Sequence, residues 1–385
     1  MDTSRLYYED AHLREFDAVV ISCQPEKSGW IVVLDRTAFY PEGGGQPGDT
    51  GMLGAVRVTD TQVRGDAVVH FCDAPLECGA AVHGVLDWER RFDLMQLHSG
   101  EHIVSGIIHR RFGYENVGFH MGAEMVTIDF SGMLNWEQLR EVEREANEAV
   151  WANTPVEIRN VDGEEKAQAV YRSKKELPGT VRLVTFPGKD TCACCGTHVA
   201  RTGEIGLIKI FSCQKFHEGV RLEMLCGRRA LVYVNSILEQ NKQVSNLLSA
   251  KPQQTAAAVE RTLEELAQTK YRAGALEQRI IAREAQTLAG AGDALLFMEL
   301  SADGLRQMAD AGMRACGGVC AVFCGSDEAG WRYAIGQAGG DLRAFGKSLN
   351  AALSGRGGGK QEFLQGSVQA TRTQIEAFWK EMRTV

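Results

Sequence analysis

Apolar positions along the first ninety residues alternate or fall in short runs: Ala18-Val19-Val20-Ile21, Trp30-Ile31-Val32-Val33-Leu34, Ala67-Val68-Val69-His70-Phe71 and Val82-His83-Gly84-Val85-Leu86. Gly, Pro, Asp and Ser punctuate them, most densely over Tyr40–Gly51, which predicts a β-barrel-like or sandwich subdomain over 1–89. The period then changes. Phe92, Met95, Leu97, Ile103, Ile107 and Ile108 recur as on a buried helix between Arg90 and Phe112. A strand at Met125–Phe130 follows, then a helix to Trp151 opened by Asn135 and Gln138 as an N-cap and N3 pair. Residues 154–226 return to mixed α/β character, so 90–230 reads as a second subdomain. From Leu231 to about Leu288 Ala, Glu, Gln, Lys, Arg and Leu dominate. Leu247, Leu248, Val259, Leu263, Leu266, Leu276 and Ile280 keep helical spacing across a break at Lys251-Pro252. Residues 231–290 therefore read as an antiparallel helical hairpin whose stripe packs helix to helix. Residues 291–385 read as a small α/β domain with strands at Val319–Phe323 and Trp331–Ile335, a Gly-rich turn at Ser354–Lys360 and a final helix. The fold class expected is α+β.

Composition narrows the function. The 385 residues are 44% hydrophobic and 24% charged, ordinary for a multidomain globular protein and too apolar for wholesale disorder. Lys and Arg number 42 against 50 Asp and Glu, a net charge of −8, so contact with nucleic acid must use a local patch. No apolar run reaches the length of a membrane span, and the opening residues lack the basic-then-apolar form of a signal peptide. The cysteine count, eleven, is odd. A reducing cytoplasm is expected, with clustered thiols binding metal rather than pairing.

His98-Ser99-Gly100-Glu101-His102 sets two imidazoles one helical turn apart, on one face and within reach of one ion. Cys192-Ala193-Cys194-Cys195-Gly196-Thr197-His198 offers a thiolate and a further imidazole, with all three cysteines near enough by spacing. Ligands from segments so far apart point to a cleft-lining metal rather than a structural staple, although closure by four protein ligands is the structural habit. His-x-x-Glu-His is also the inverted zincin signature, but that chemistry takes a carboxylate third ligand and an open water position. Gly43-Gly44-Gly45-Gln46 lacks the Lys-Ser/Thr of a phosphate loop. With Gln46 and Asp49 beside it, it reads as the wall of a binding site.

These motifs, in order, resemble a known family. Thr37–Gln46, His98–His102, Cys194–Val199 and Thr202–Gly206, with Gly219-Val220-Arg221 and Glu223, are similar to the editing domain of alanyl-tRNA synthetase and the freestanding AlaX trans-editing proteins. Residues 231–385 resemble the synthetase's helical hairpin and DHH-associated C-terminal domain; no segment resembles the aminoacylation domain. The resemblance implies one zinc ion per chain on His98, His102, Cys194 and His198, and hydrolysis of Ser or Gly mischarged onto alanine tRNA. It also implies tRNA contact at the Gly355–Lys360 segment, where Arg356 and Lys360 flank glycines; Arg332, Arg343 and Lys347 add charge nearby. Cys195 and Glu101 depart from the residues usual in the family. Glu101 is the candidate general base, and Gln46 and Thr37 are candidates to contact the amino acid or the terminal ribose. Three further expectations are a cytoplasmic location, no membrane partner, and a homodimer formed through the C-terminal region. The alternatives are an inverted-zincin peptidase and a non-catalytic tRNA-binding protein with a structural zinc.

Overall fold

The computed structural model describes residues 3–173 and 178–382. They divide into two compact units, one ending at Lys242 and the other starting at Gln243. Among the described residues no helix is long and apolar enough to cross a membrane.

In the first unit, strands Glu15–Glu26, Gly29–Leu34, Ala67–Cys72, Val56–Arg64, Gly51–Leu53 and Ala81–Leu86 pair in that order, all antiparallel, and the last closes on the first. Alternation fills the ring: Phe16, Ala18 and Val20 point inward while their neighbours face solvent.

Helix α1 (Trp88–Phe112) leaves the ring and is anchored at its first turns. Arg91 is 1% exposed; its Nε donates to Asp49 Oδ2 at 2.8 Å, and its Nη atoms donate to the carbonyls of Ala11 and Ala38. A buried charge is tolerable only when paired and fully hydrogen-bonded, and this one is. Residues Leu94 to Ile108 of α1 are buried on every face. They lie among a four-stranded antiparallel sheet (Ile208–Phe216, Gly219–Cys226, Val126–Phe130, Asn116–Met121 in spatial order) and helix α2 (Trp136–Ala152). The Asn135–Gln138 capping box that the sequence predicts opens α2, each side chain bonding the other's amide at 2.9 Å. A three-stranded sheet of Glu157–Val161, Val181–Phe186 and Asp190–Ala193 sets its last strand against α1; a short helix α3 (Gly163–Gln168) lies between its first two strands. Helix α4 (Gly227–Leu247) follows, and the boundary between the units falls inside it.

The second unit opens with the end of α4, followed by α5 (Thr255–Thr287). Its sheet runs Gly292–Phe297, Gly317–Ser326, Gly330–Gln337, Phe363–Val368, Arg356–Lys360, with only the first pair parallel, crossed over by α6 (Ala302–Cys316). Both faces of strand Gly317–Ser326 are covered, which is why it reads as one apolar run: Val319, Ala321 and Phe323 meet one core and Cys320, Val322 and Cys324 the other. Helices α7 (Arg343–Ala352) and α8 (Arg372–Glu381) cover the first of these faces.

Two local expectations are corrected. The glycine run is not only a turn: Arg356–Lys360 is an exposed edge strand paired with Phe363–Val368, whose ladder fixes a backbone that glycine leaves free. The stripe on α5 is not packed helix to helix. Every residue from Val259 to Leu276 is exposed; α5 is buried at Ala258 in its first turn and at its C-terminal turns, where Ile281, Ala285 and Leu288 join a core.

Candidate metal centre

Four side chains of the first unit converge. His98 and His102 project from the same face of α1, one turn apart, and Cys194 and His198 come from the loop after strand Asp190–Ala193. Their donor atoms all lie within 4.8 Å of one another. The imidazole centroids are 5.1 Å apart for His98 and His102, 4.6 Å for His98 and His198, and 5.0 Å for His102 and His198. Cys194 Sγ is 3.4 Å from His98 Nε2.

The polar bookkeeping of this cluster is incomplete without a cation. Among the described residues, His102 Nε2 and both ring nitrogens of His198 are buried with no hydrogen-bond partner. Each orphaned group costs about 1–3 kcal/mol, so three in one cluster fit a site for an ion. The protonation chemistry agrees. Burial pushes the His198 imidazole down to about 3, leaving it neutral. Burial pushes the Cys194 thiol up, but the imidazoles crowded around it, His98 foremost, overcome this and hold it well below its ordinary value. Thiolate and neutral imidazole are the forms that ligate metals. Three imidazoles and one thiolate could hold a metal ion tetrahedrally. The inverted-zincin arrangement, with a carboxylate third ligand, is not what is assembled.

The glycine turn delivers Gln46 to this centre. Gly44 and Gly45 take positive φ (62° and 86°), closing Gly43 onto Gln46 so that the Gln46 side chain, fully buried, enters the cluster. Its Oε1 accepts from His98 Nδ1 at 3.0 Å and from the Thr197 amide at 3.2 Å, while Nε2 donates to Thr197 Oγ1 at 2.8 Å. A proton held on Nδ1 turns the Nε2 lone pair of His98 toward the other ligands.

Relatives place this geometry in context. The profile described as threonyl and alanyl tRNA synthetase second additional domain matches residues 181–222, which carry Cys194 and His198. The profile described as tRNA synthetases class II (A) matches residues 4–90, which carry Thr37 and Gln46. The alanyl-tRNA editing protein AlaX-L of Pyrococcus horikoshii is 36% identical over 245 residues, 61% of this chain and 60% of its own length. The alanyl-tRNA editing protein Aarsd1 of Danio rerio is 27% identical over 395 residues, 97% of this chain and 96% of its own. The chain belongs to the alanyl-tRNA editing protein family. It spans only 34% of the alanine–tRNA ligase of Ignicoccus hospitalis, to which it is 32% identical over 311 residues.

Other residues singled out in this editing-family chain are placed as follows. Glu101, 4% exposed, accepts through Oε1 from Ser105 Oγ at 2.5 Å and from Asn116 Nδ2 at 2.6 Å. Thr37 is fully buried; its hydroxyl faces His70 Nε2 at 2.8 Å and accepts from the Phe39 amide, and among the described residues it forms no hydrogen bond with the four converging donors. His70 Nδ1 bonds the Val32 carbonyl at 3.0 Å, so Nδ1 carries the proton and Thr37 donates to Nε2. Arg356 and Lys360 lie on the exposed edge strand of the second unit and form no ion pair with a carboxylate among the described residues. Arg343, by contrast, is committed to Asp341. Sequence reasoning missed His70, Asn116, Asp190 and Arg172. The alternation Asp190, Cys192, Cys194 along one strand face was the available signal for Asp190.

Proposed function

We propose that this chain is a trans-editing deacylase that hydrolyses serine or glycine mischarged onto alanine tRNA, with zinc held by His98, His102, Cys194 and His198. The observation that carries the reading is the four-donor cluster with three orphaned imidazole nitrogens, set in a chain of the editing family. Zinc, when bound, supplies a Lewis acid for polarising the ester or orienting water. The remaining work falls to the chain. Water adds through oxygen to the ester carbonyl carbon, the bond from that carbon to the ribose oxygen breaks, and the ribose hydroxyl recovers a proton. Glu101 takes the proton from water and returns it; Ser105 and Asn116 fix Oε1, which leaves Oε2 for the transfer. Gln46 orients His98 and, with Thr37, borders the amino acid; the lone pair that Thr37 Oγ1 retains beyond His70 and Phe39 would accept from a seryl hydroxyl. The ester is already activated, so positioning supplies most of the rate.

In this reading 1–89 and 90–230 together form the editing domain, 231–290 is a helical spacer and 291–385 grips tRNA. Arg356 and Lys360 flank glycines whose amides can approach phosphate oxygens. Replacing both by Ala should lower tRNA affinity and reduce the slope of log affinity against log salt by about 2; an unchanged slope rejects them as phosphate contacts. The exposed stripe of α5 supports a homodimer, and the eleven free cysteines support a reducing cytoplasm. The deciding experiment is deacylation of Ser-, Gly- and Ala-charged alanine tRNA by the purified protein. Ser and Gly should be released and Ala spared; release of none of them, or of all three equally, rejects the proposal.

A further inference from the structure

Strand Asp190–Ala193 presents alternate residues to α1, so Asp190, Cys192 and then Cys194 face the same side, toward His102. The close approach depends on Gly106, one turn after His102: a Cβ there would lie 2.4 Å from the Lys189 carbonyl oxygen and 2.6 Å from Asp190 Cβ. Asp190 Oδ2 therefore lies 2.9 Å from His102 Nδ1, with both side chains about 2–3% exposed. The same carboxylate is clamped from behind. Arg172 Nε donates to Oδ1 and Nη2 to Oδ2, both at 2.7 Å, in a bidentate pair. The Arg172 main chain is stitched to the strand on both sides, its amide to the Thr191 carbonyl at 2.8 Å and its carbonyl to the Ala193 amide at 3.0 Å. Arg172 thus rides on the same strand that carries Asp190.

We infer that Asp190 and Arg172 are positioning residues of the metal centre: the Arg172-clamped Asp190 carboxylate holds the proton of His102 on Nδ1 and thereby presents Nε2 to the ion. The inference rests on the metal reading of the four-residue cluster. Carboxylate oxygens only accept, so His102 Nδ1 must donate, and Nε2 is the nitrogen left without a partner. Asp190 Oδ2, the oxygen nearest His102, already accepts from both His102 Nδ1 and Arg172 Nη2, which commits it to orienting the imidazole. His98 and His102 are then oriented by different chemistries, a neutral amide for the first and a carboxylate for the second. The carboxylate makes His102 the stronger donor of the pair.

The test is zinc affinity, measured by competition with a chromophoric chelator on the full chain. Asp190→Asn should bind zinc about 10–100-fold more weakly and release it faster, with a shifted visible spectrum when cobalt is substituted. Arg172→Lys, which keeps the charge but not the fork, should weaken binding less and in the same direction. Asp129→Asn is the control: it breaks another bidentate carboxylate pair of the first unit, with Arg221 at 2.7 and 2.8 Å, and should leave zinc affinity unchanged. Wild-type affinity in a folded Asp190→Asn overturns the inference alone, as does wild-type affinity in Arg172→Lys if Asp190→Asn does not fold. No zinc bound by the unsubstituted chain overturns the metal reading and the inference with it.

Discussion

Helices α1 and α5 are both long, and they solve opposite problems. Over its central fifteen residues α1 is buried on all sides, yet the stretch includes two histidines, a glutamate, two serines and a glutamine. Over Val259–Leu276 α5 is exposed on all sides, yet carries Val259, Leu263, Leu266 and Leu276 at helical spacing. In a buried helix apolar residues are expected and every polar group needs a partner; those left without one mark a ligand. In an exposed helix polar residues are expected and an apolar stripe marks a missing surface. The same rule, read with opposite signs, points to the candidate metal centre in one unit and to the proposed contact surface in the other.

The hardest test of the α1 half is removal of a donor. Cys194→Ala should lose its one equivalent of zinc, and deacylation should fall roughly 10³-fold or more. Cys72→Ala and Cys324→Ala, whose thiols are buried in other cores, should keep both. Full zinc content in Cys194→Ala breaks the assignment of the orphaned nitrogens to a metal. The next effect is smaller. Glu101→Gln keeps an oxygen for Ser105 and Asn116 but removes the proton acceptor, so the catalytic rate should drop about 10²-fold with zinc retained. A wild-type rate would make Glu101 a purely structural link between α1 and strand Asn116–Met121.

His70 sharpens the comparison because it is a buried histidine with both nitrogens satisfied, and so it should report stability rather than ligand. Burial pushes its pKa from 6.5 down to about 4. Above pH 6.5 neither folded nor unfolded chain carries the proton, and the group costs nothing. Between pH 6.5 and about 4 only the unfolded chain takes it up, so stability falls with falling pH by about 1.4 kcal/mol per unit, roughly 3 kcal/mol in all. Denaturant titrations at stepped pH should recover that loss in the native chain and lack it in His70→Gln. Equal pH slopes for the two proteins would refute the buried neutral state.

The four converging donors were legible because their signals are local. His98 and His102 declare themselves by one helical turn, Cys194 and His198 by one short loop, and the capping box by three residues. Strand alternation was equally local in the first ninety residues. What the sequence hid depends on pairings far along the chain. Arg172 meets Asp190 only because two segments bridge, and Thr37 finds His70 only across the ring. Arg356–Lys360 has no strand propensity of its own; its conformation is imposed by Phe363–Val368. Spacing alone chose no thiol among Cys192, Cys194 and Cys195; the fold brings Cys194 into the four-donor group and leaves Cys195 exposed.

The α5 half of the comparison predicts the smallest change in the stability of the single chain and a change of mass. Helical periodicity announces a face without naming what covers it, and the proposal is that a second copy does. Leu263, Leu266 and Leu276 are 59%, 48% and 56% exposed, so replacing all three by Gln removes apolar surface while keeping helix propensity nearly constant. Each exposed substitution should move monomer stability by no more than about 0.5 kcal/mol. Light scattering should give twice the chain mass for the native protein and the single-chain mass for the triple variant. The native melting temperature should rise with protein concentration, as association with the folded state requires, and that of the variant should not. Zinc content and hydrolysis of charged tRNA at saturation should stay as they were, because the donors lie in the other unit. A native protein that is monomeric, or a triple variant that remains dimeric, would show that the stripe is not covered by a second copy of this chain.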